Sequence, residues 1–102
     1  MPFKYNATGV LNDAIYGSAF RHIAAVDSAR INFCKAFGRN LRRIRTEKGF
    51  GMREFALNAD IEYSQLSKIE RGVTNPTIGT VHLLATALGV SHRDLFDFPF
   101  EY

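Results

Sequence analysis

The chain has 102 residues, a single cysteine and a formal net charge of +3, and 46% of its residues are hydrophobic. This length favours one domain, and no apolar run is long enough to cross a membrane. Polar residues interrupt the first apolar stretch, which argues against a signal peptide, so we expect a protein of the cytoplasm.

The pattern contains no sign of metal, cofactor or enzyme chemistry. Cys34 alone cannot form an intrachain disulfide or a thiolate cluster, and the three histidines do not have the spacing of a zinc motif. Gly49 and Gly51 lack the third glycine and the preceding strand of a nucleotide loop. With no paired nucleophile and base either, we expect no catalytic site, no metal and no cofactor.

Basic residues are concentrated in one part of the chain. Residues 35–53 contain seven lysines and arginines against one acidic residue, whereas residues 54–102 contain three against seven. Small basic proteins are common, but this asymmetry indicates one surface that attracts phosphate and another that avoids it. Nucleic acid is therefore a candidate partner.

Residues 1–33 have the least regular pattern. Residues 3–5 alternate like a strand, residues 6–9 resemble a turn, and Asn12 is a candidate cap for a helix that continues through Val26. Three interpretations compete: an added helix that packs on the domain or across a dimer, a mobile arm, and residues left from cloning or an overlong reading frame. We favour a partly helical arm.

A clearer helix is predicted from Asp27 or Ser28 to Lys48, because apolar residues recur there every three or four positions. These residues are Phe33, Phe37, Leu41 and Ile44. The opposite face is basic and is either solvated or turned towards phosphate. On that face, Arg39 and Arg43 are the strongest candidates for a phosphate contact.

Residues 50–72 predict two short helices joined by a turn. Residues 52–59 have apolar positions at helical spacing, and Asp60 tolerates the backbone of a tight reversal. From Tyr63 to Arg71 the apolar positions are reduced to two, before a glycine stops the helix. The second helix therefore buries a narrow stripe and exposes the rest of its surface.

The exposed face of this second helix carries hydroxyl, amide and basic groups. At about 100° per residue, Ser64, Lys68 and Arg71 lie opposite the buried Leu66, with Ser67 further round. Such a face can lie in a major groove, where these groups meet base edges and phosphates. It is also typical of a solvated surface, and the pattern alone favours that interpretation.

Two charged residues, Arg45 on the long helix and Glu70 on the second short helix, fall at the margin of an apolar stripe. A charge in that position is costly unless it is paired. Each residue is therefore the expected partner of the other, which removes Glu70 from the candidate base-contacting residues.

The remaining pattern predicts two more helices and an aromatic tail. Thr77 is a candidate cap for a helix that Gly89 closes, and residues 91–94 resemble a capping box that opens a final short helix. Beyond it, aromatic residues alternate with others in a segment too short for its own sheet. These aromatics either cover the core or contact a partner, and the pattern favours neither.

One motif carries more specific information: it runs Leu66-Ser67-Lys68-Ile69-Glu70-Arg71-Gly72 and is followed by Asn75-Pro76-Thr77. It resembles the Cro/C1-type helix-turn-helix family, also called the XRE family. The resemblance covers roughly residues 37–96, with further landmarks at Ile44-Arg45, Gly49-Phe50, Phe55-Ala56, Leu84-Ala85 and Leu95-Phe96. Two positions depart from the family: Gly51 replaces the usual Ser or Thr cap, and Met52 replaces the usual phosphate-contacting Gln.

The resemblance implies an all-α, five-helix lambda-repressor-like DNA-binding domain at residues 34–97, between an N-terminal extension of uncertain structure at residues 1–33 and an aromatic tail at residues 98–102. It implies a sequence-specific transcriptional regulator that acts as a homodimer on a two-fold operator in double-stranded DNA. The two departures leave one alternative open, a protein-interaction module such as an antitoxin with a toxin partner.

The resemblance also assigns roles to individual residues. The start of the second motif helix enters the groove in this family, so the expected base-contacting residues are Tyr63, Ser64 and Lys68, with Gln65 and Ser67 secondary. The expected phosphate contacts are Arg39, Arg43, Arg53, Arg71 and Asn75. A structural ion pair is expected between Arg45 and Glu70. The expected dimer interface contains Leu95, Phe96, Phe98 and Phe100.

Overall fold

The structure, a computed structural model, describes the backbone of residues 13–101 and the side chains of residues 26–101. This part of the chain contains helices and no strand, which confirms the predicted all-α, five-helix fold. The helices are α1 (Asp13–Glu47), α2 (Met52–Asn58), α3 (Tyr63–Arg71), α4 (Ile78–Leu88) and α5 (His92–Leu95). The strand expected at residues 3–5, the turn at residues 6–9 and the cap at Asn12 lie outside the described residues.

α1 is longer than the sequence pattern predicted. It begins at Asp13 rather than near Ser28, and it passes residue 33, the expected end of the N-terminal extension, without a break. An Asp-Ser pair favours a helix start only where the residues before it leave the helical conformation. Here residues 22–26 include two alanines, the best helix formers, and the chain stays helical through the pair.

The chain divides into two units, with the boundary between Arg30 and Ile31. In the first unit, Asp27 and Arg30 form an exposed ion pair, with 3.6 Å between Oδ1 and Nη2. Such a surface contact contributes little to stability. Among the described residues, no helix combines the length and the apolar character needed to cross a membrane, α1 included.

The core of the second unit takes apolar side chains from all five helices. The largest of those that are almost completely buried are Leu41, Phe55, Leu66, Ile69, Leu84 and Leu95. α1 contributes the first of them and α5 the last, so the first and the last helix pack on the same core as the helix-turn-helix segment. Burial of these stripes on all five helices fixes α3 relative to its neighbours.

Glycines end two helices, and side-chain caps begin two, at the positions that the sequence indicated. Gly72 and Gly89 follow α3 and α4 with φ of 72° and 69°, a left-handed conformation that glycine adopts without steric cost. Asp60, at the reversal between α2 and α3, has φ of 56°. The Thr77 side chain caps α4, and a capping box opens α5 at Ser91.

Asn40, which was not among the residues expected from the sequence to have a role, attaches the end of α5 to α1. Its side chain is buried, and Nδ2 donates to the carbonyl oxygens of Asp94 and Leu95 at 3.1 and 2.9 Å. Carbonyl groups in the last turn of a helix have no partner within that helix. Asn40 lies three residues after Phe37 and four before Ile44, and a polar residue on that apolar stripe was the available signal.

The aromatic tail packs against Phe33, which favours core cover over a partner contact for Phe98 and Phe100. The rings of Phe98 and Phe100 lie 5.4 and 5.0 Å from the ring of Phe33, measured between centroids. Leu95 is 0% exposed, so it lies inside the core of the monomer and cannot form a surface for a partner. Of the four residues expected in the interface, Phe96 keeps a large exposed surface, at 45%.

Candidate nucleic-acid interface

α3 has an exposed polar face and, on the opposite side, a buried apolar face. Leu66 and Ile69, on its inner side, are 0% and 1% exposed, so the two apolar residues identified in the sequence attach the helix to the core. On the outer side, four of the candidate base-contacting residues are exposed: Tyr63, Ser64, Gln65 and Lys68. All four are therefore open to solvent on α3, with Ser64 and Lys68 near the middle of the exposed arc and Tyr63 and Gln65 towards its two margins.

The end of α3 and the following loop add further polar groups. Ser67 is half-buried, and its Oγ accepts a hydrogen bond from Nε of Arg71 at 3.2 Å. Arg71 and Asn75 are both exposed. Because the Ser67 hydroxyl already holds Arg71, it has less capacity for a base than the exposed side chains of α3.

A buried ion pair joins α3 to α1. The Glu70 carboxylate accepts two hydrogen bonds from Arg45, from Nε to Oε2 at 2.6 Å and from Nη2 to Oε1 at 2.9 Å. Nη1 of Arg45 also donates to the carbonyl oxygen of Phe50 at 2.8 Å. This bidentate pair uses the geometry in which arginine binds carboxylates best, and Glu70 takes no part in the exposed face.

α1 and α3 are also in close backbone contact. A Cβ at Gly38 would overlap the carbonyl oxygens of Ile69 and Glu70, and a Cβ at Gly72 would overlap the backbone of Lys35. No larger residue fits at either position without a shift of one helix. The sequence pattern indicates only helix termination at Gly72 and indicates no role for Gly38.

α2 contacts α3 through a cation and a ring. Cζ of Arg53 lies 4.7 Å from the centroid of the Tyr63 ring, within the range of a cation–π interaction. Both side chains are exposed, and Tyr63 keeps 44% of its surface open to solvent. The structure thus brings together a candidate phosphate contact and a candidate base contact.

Arg39 and Arg43 lie apart from this face. Both line an open cleft together with Asp97, Phe98 and Pro99, residues that follow α5. The α3-facing side of α1 is marked by Gly38, and at 100° per residue Arg39 and Arg43 are about 100° and 140° away from it. These two arginines therefore point to another side of α1 than the side that packs on α3, and their contact with phosphate stays a prediction that this geometry does not favour.

Arg43 is in addition engaged with its neighbours on α1. Its Nη1 donates to both carboxylate oxygens of Glu47 at 3.0 Å, and its Nη2 donates to Oδ1 of Asn40 at 2.8 Å. The exposed cations on the side of α1 that Gly38 marks are instead Lys35, whose backbone lies against Gly72, and Arg42. Arg42 is about 40° from Gly38 on the helical wheel.

Residues 41–95, more than half of the chain, match the family model HTH_3, Helix-turn-helix. The chain belongs to the HTH_3 helix-turn-helix family. This HTH_3 protein is 44% identical over 61 residues to the uncharacterized HTH-type transcriptional regulator y4dJ of Sinorhizobium fredii, covering 60% of this chain and 79% of that protein. It is 35% identical over 63 residues to the control protein C.BamHI of Bacillus amyloliquefaciens, covering 61% of this chain and 78% of that protein.

Solved structures of similar chains have the same fold. The restriction-modification controller protein C.AhdI from Aeromonas hydrophila superimposes with a TM-score of 0.61 at 35% identity, over 62% of this chain and 96% of that chain. SinR of Bacillus subtilis, the master regulator for biofilm formation, was solved in complex with DNA. It superimposes with a TM-score of 0.57 at 37% identity, over 60% of this chain and 98% of that chain. The resemblance to Cro/C1-type proteins is confirmed.

Two departures of this HTH_3 domain from the family pattern alter the start of α2. Gly51 is the N-cap residue and supplies no side-chain hydrogen bond. Met52 is half-buried and packs against the core, so it presents no polar group there. Arg53 is the next residue, and its exposed guanidinium is the cation at this end of α2.

Proposed function

We propose that this HTH_3 protein is a sequence-specific DNA-binding transcriptional regulator that acts as a homodimer on a two-fold site in double-stranded DNA. The observation that carries the proposal is the exposed polar face of α3, whose opposite, apolar face is completely buried in the core. A helix attached in this way presents its side chains at fixed positions, and a major groove admits one α-helix. The relatives named as transcriptional regulators, and the SinR complex with DNA, support the proposal.

Residues in the first two turns of α3 are proposed to contact bases. Lys68 is a donor suited to guanine O6 or N7, and the Ser64 hydroxyl can serve several bases and therefore discriminates less. Tyr63 lies at the first position of the helix, where side chains enter the groove first. Gln65 and Ser67 are secondary contacts.

Cations around this face are proposed to supply the affinity that does not depend on sequence. Such contacts neutralise phosphates and release counterions, which gives binding a steep dependence on salt. Arg39 and Arg43 are not part of this set because they face the cleft beside the residues that follow α5. The proposed phosphate contacts are the cations Arg53, Arg71, Lys35 and Arg42, together with the neutral amide of Asn75.

Selection of bound sites from random double-stranded DNA tests the DNA-binding proposal. We expect a palindromic consensus with half-sites about one helical turn, or about 34 Å, apart. Lys68→Ala should relax the preference at one position of each half-site, whereas the control Arg93→Ala, which removes an exposed cation of α5, should leave the consensus unchanged. The absence of any enriched sequence would refute the proposal, and a tightly bound protein partner would then favour the antitoxin alternative.

The homodimer is proposed to form through a surface of α4 and α5, here called the α4–α5 surface. It consists of Ile78, Val81, His82, His92 and Phe96. Ile78 is 89% exposed, so its apolar side chain lies almost entirely in solvent in the monomer. Exposed apolar patches mark association sites, and a second copy is the proposed occupant because a two-fold operator requires two α3 helices related by the same symmetry.

Sedimentation of two matched variants tests this interface. Ile78→Glu should give a folded monomer, because a two-fold contact would bring two carboxylates together and the first turn of a helix tolerates an acidic residue. Leu57→Glu is the control, since Leu57 is also apolar and 80% exposed but belongs to α2. A dimer that persists in Ile78→Glu would refute the α4–α5 surface as the interface.

A further inference from the structure

We propose that Arg53 is a positioning residue for Tyr63: its guanidinium holds the tyrosine ring in the orientation in which the ring contacts the methyl group of a thymine. The inference rests on the proposed DNA-binding function and specifies one contact within it. It gives Arg53 a role in base choice, beyond the contact with phosphate.

The contact between the two side chains joins two fixed elements. Arg53 is on α2, where the adjacent Phe55 and Ala56 are buried, and Tyr63 opens α3, which Leu66 attaches to the core. The distance of 4.7 Å from Cζ to the ring centroid places the cation over the ring within the range of about 6 Å for this interaction. The orientation of the ring is therefore tied to the position of α2.

Other restraints on the Tyr63 ring are few. Among the described side chains, the Tyr63 hydroxyl makes no hydrogen bond, and the preceding residue, Glu62, forms no side-chain cap on α3. An exposed aromatic side chain without restraint samples several rotamers. The guanidinium of Arg53 restricts that freedom before DNA arrives, which lowers the entropic cost of the contact.

The chemistry of the groove points to thymine. With the cation over one face, the Tyr63 ring offers its apolar edge and its other face to a base. The apolar group that bases present in the major groove is the C5-methyl of thymine, which aromatic and aliphatic side chains contact. Arginine suits the positioning role better than lysine, because its planar guanidinium stacks on a ring whereas an ammonium group is a hydrated point charge.

Replacement of each thymine of the selected site by uracil, one at a time, provides the test, because uracil lacks only the methyl group. The parent protein should bind one substituted position of each half-site about fourfold more weakly, which corresponds to the burial of about one methyl group, or about 0.8 kcal/mol. Arg53→Lys keeps the positive charge and should lose this preference for thymine, so that its affinities for the thymine site and the uracil site become equal. Tyr63→Phe keeps the ring and should retain the preference.

A double-substitution comparison completes the test. Tyr63→Ala alone should abolish the thymine preference, and Arg53→Lys combined with Tyr63→Ala should lower it no further. The inference is overturned if Arg53→Lys keeps the preference, or weakens thymine and uracil sites equally as a plain phosphate contact would. If random DNA yields no selected site at all, the proposed function falls together with this inference. A selected site without any thymine dependence overturns the inference alone.

Discussion

Removal of one member of the buried pair between Arg45 and Glu70 should strongly destabilise the domain. In Glu70→Ala, the arginine would keep its hydrogen bond to the Phe50 carbonyl oxygen and lose both bonds to the carboxylate. Its guanidinium would then be an unpaired charge on a side chain that is 7% exposed. We therefore expect the free energy of unfolding to fall by about 3–5 kcal/mol.

Thermal unfolding followed by circular dichroism measures this loss. For a domain of this size, 1 kcal/mol corresponds to a shift of about 4–8 °C, so the midpoint of Glu70→Ala should fall by at least about 12 °C. Glu70→Gln keeps the shape and one acceptor but loses the charge, so it should unfold between the parent and Glu70→Ala. Arg45→Met combined with Glu70→Leu removes both charges and should unfold close to the parent.

Two outcomes would contradict the structural role of this pair. A Glu70→Ala protein that unfolds at the temperature of the parent would show that the buried charge is compensated in another way. A double variant that is as unstable as Glu70→Ala would show that the loss comes from packing at position 70 and not from the isolated charge of Arg45.

Three further predictions concern α1 and α3. Gly38→Ala should lower the free energy of unfolding measured in urea, because the added methyl group overlaps carbonyl oxygens of α3. This overlap outweighs the gain of about 0.5–1 kcal/mol that alanine brings to a helix. Equal or greater stability would show that the two helices separate easily. Lys68→Ala should cost about 1–3 kcal/mol of binding free energy on the preferred site in titrations, whereas an equal loss on all sequences would make Lys68 a phosphate contact. Lys35→Ala and Arg42→Ala should each reduce the slope of log affinity against log salt by about 0.9 for each subunit, or about 1.8 for the dimer. Arg39→Ala is the matched control and should leave this slope unchanged. An equal change of slope in Arg39→Ala would contradict the placement of Arg39 away from α3.

Local patterns predicted most of the elements that form the helix-turn-helix segment. Two apolar residues at helical spacing, a turn at Asp60 and a glycine at position 72 were sufficient to predict the limits of α3, which runs from Tyr63 to Arg71 in the structure. The pairing of Arg45 with Glu70 was expected from their places at the margins of two apolar stripes, and their side chains are in bidentate contact. Both predictions depend only on the spacing of apolar residues within a single helix, which can be read from the sequence.

Features that depend on which surfaces meet were not predictable in the same way. A helical wheel places Arg39 opposite the apolar stripe but does not say on which side of α1 the third helix lies. That side is marked by Gly38, where a missing side chain allows backbone contact, and a lone glycine inside a helix does not by itself indicate such a contact. The alternating aromatics of the tail indicated an extended segment, but their packing partner, Phe33, lies more than sixty residues earlier in the chain.

The absence of side chains between α1 and α3 at Gly38 and Gly72 has a consequence for the redesign of specificity. The two backbones already touch, so α3 has no room to tilt or slide towards α1. Specificity for a new DNA sequence is therefore obtained by substituting exposed residues of α3, such as Ser64 and Lys68, while the backbone of α3 stays in the same position. Duplicated copies of such a gene can diverge in target by a few codon changes within α3, while every codon of the supporting core stays the same.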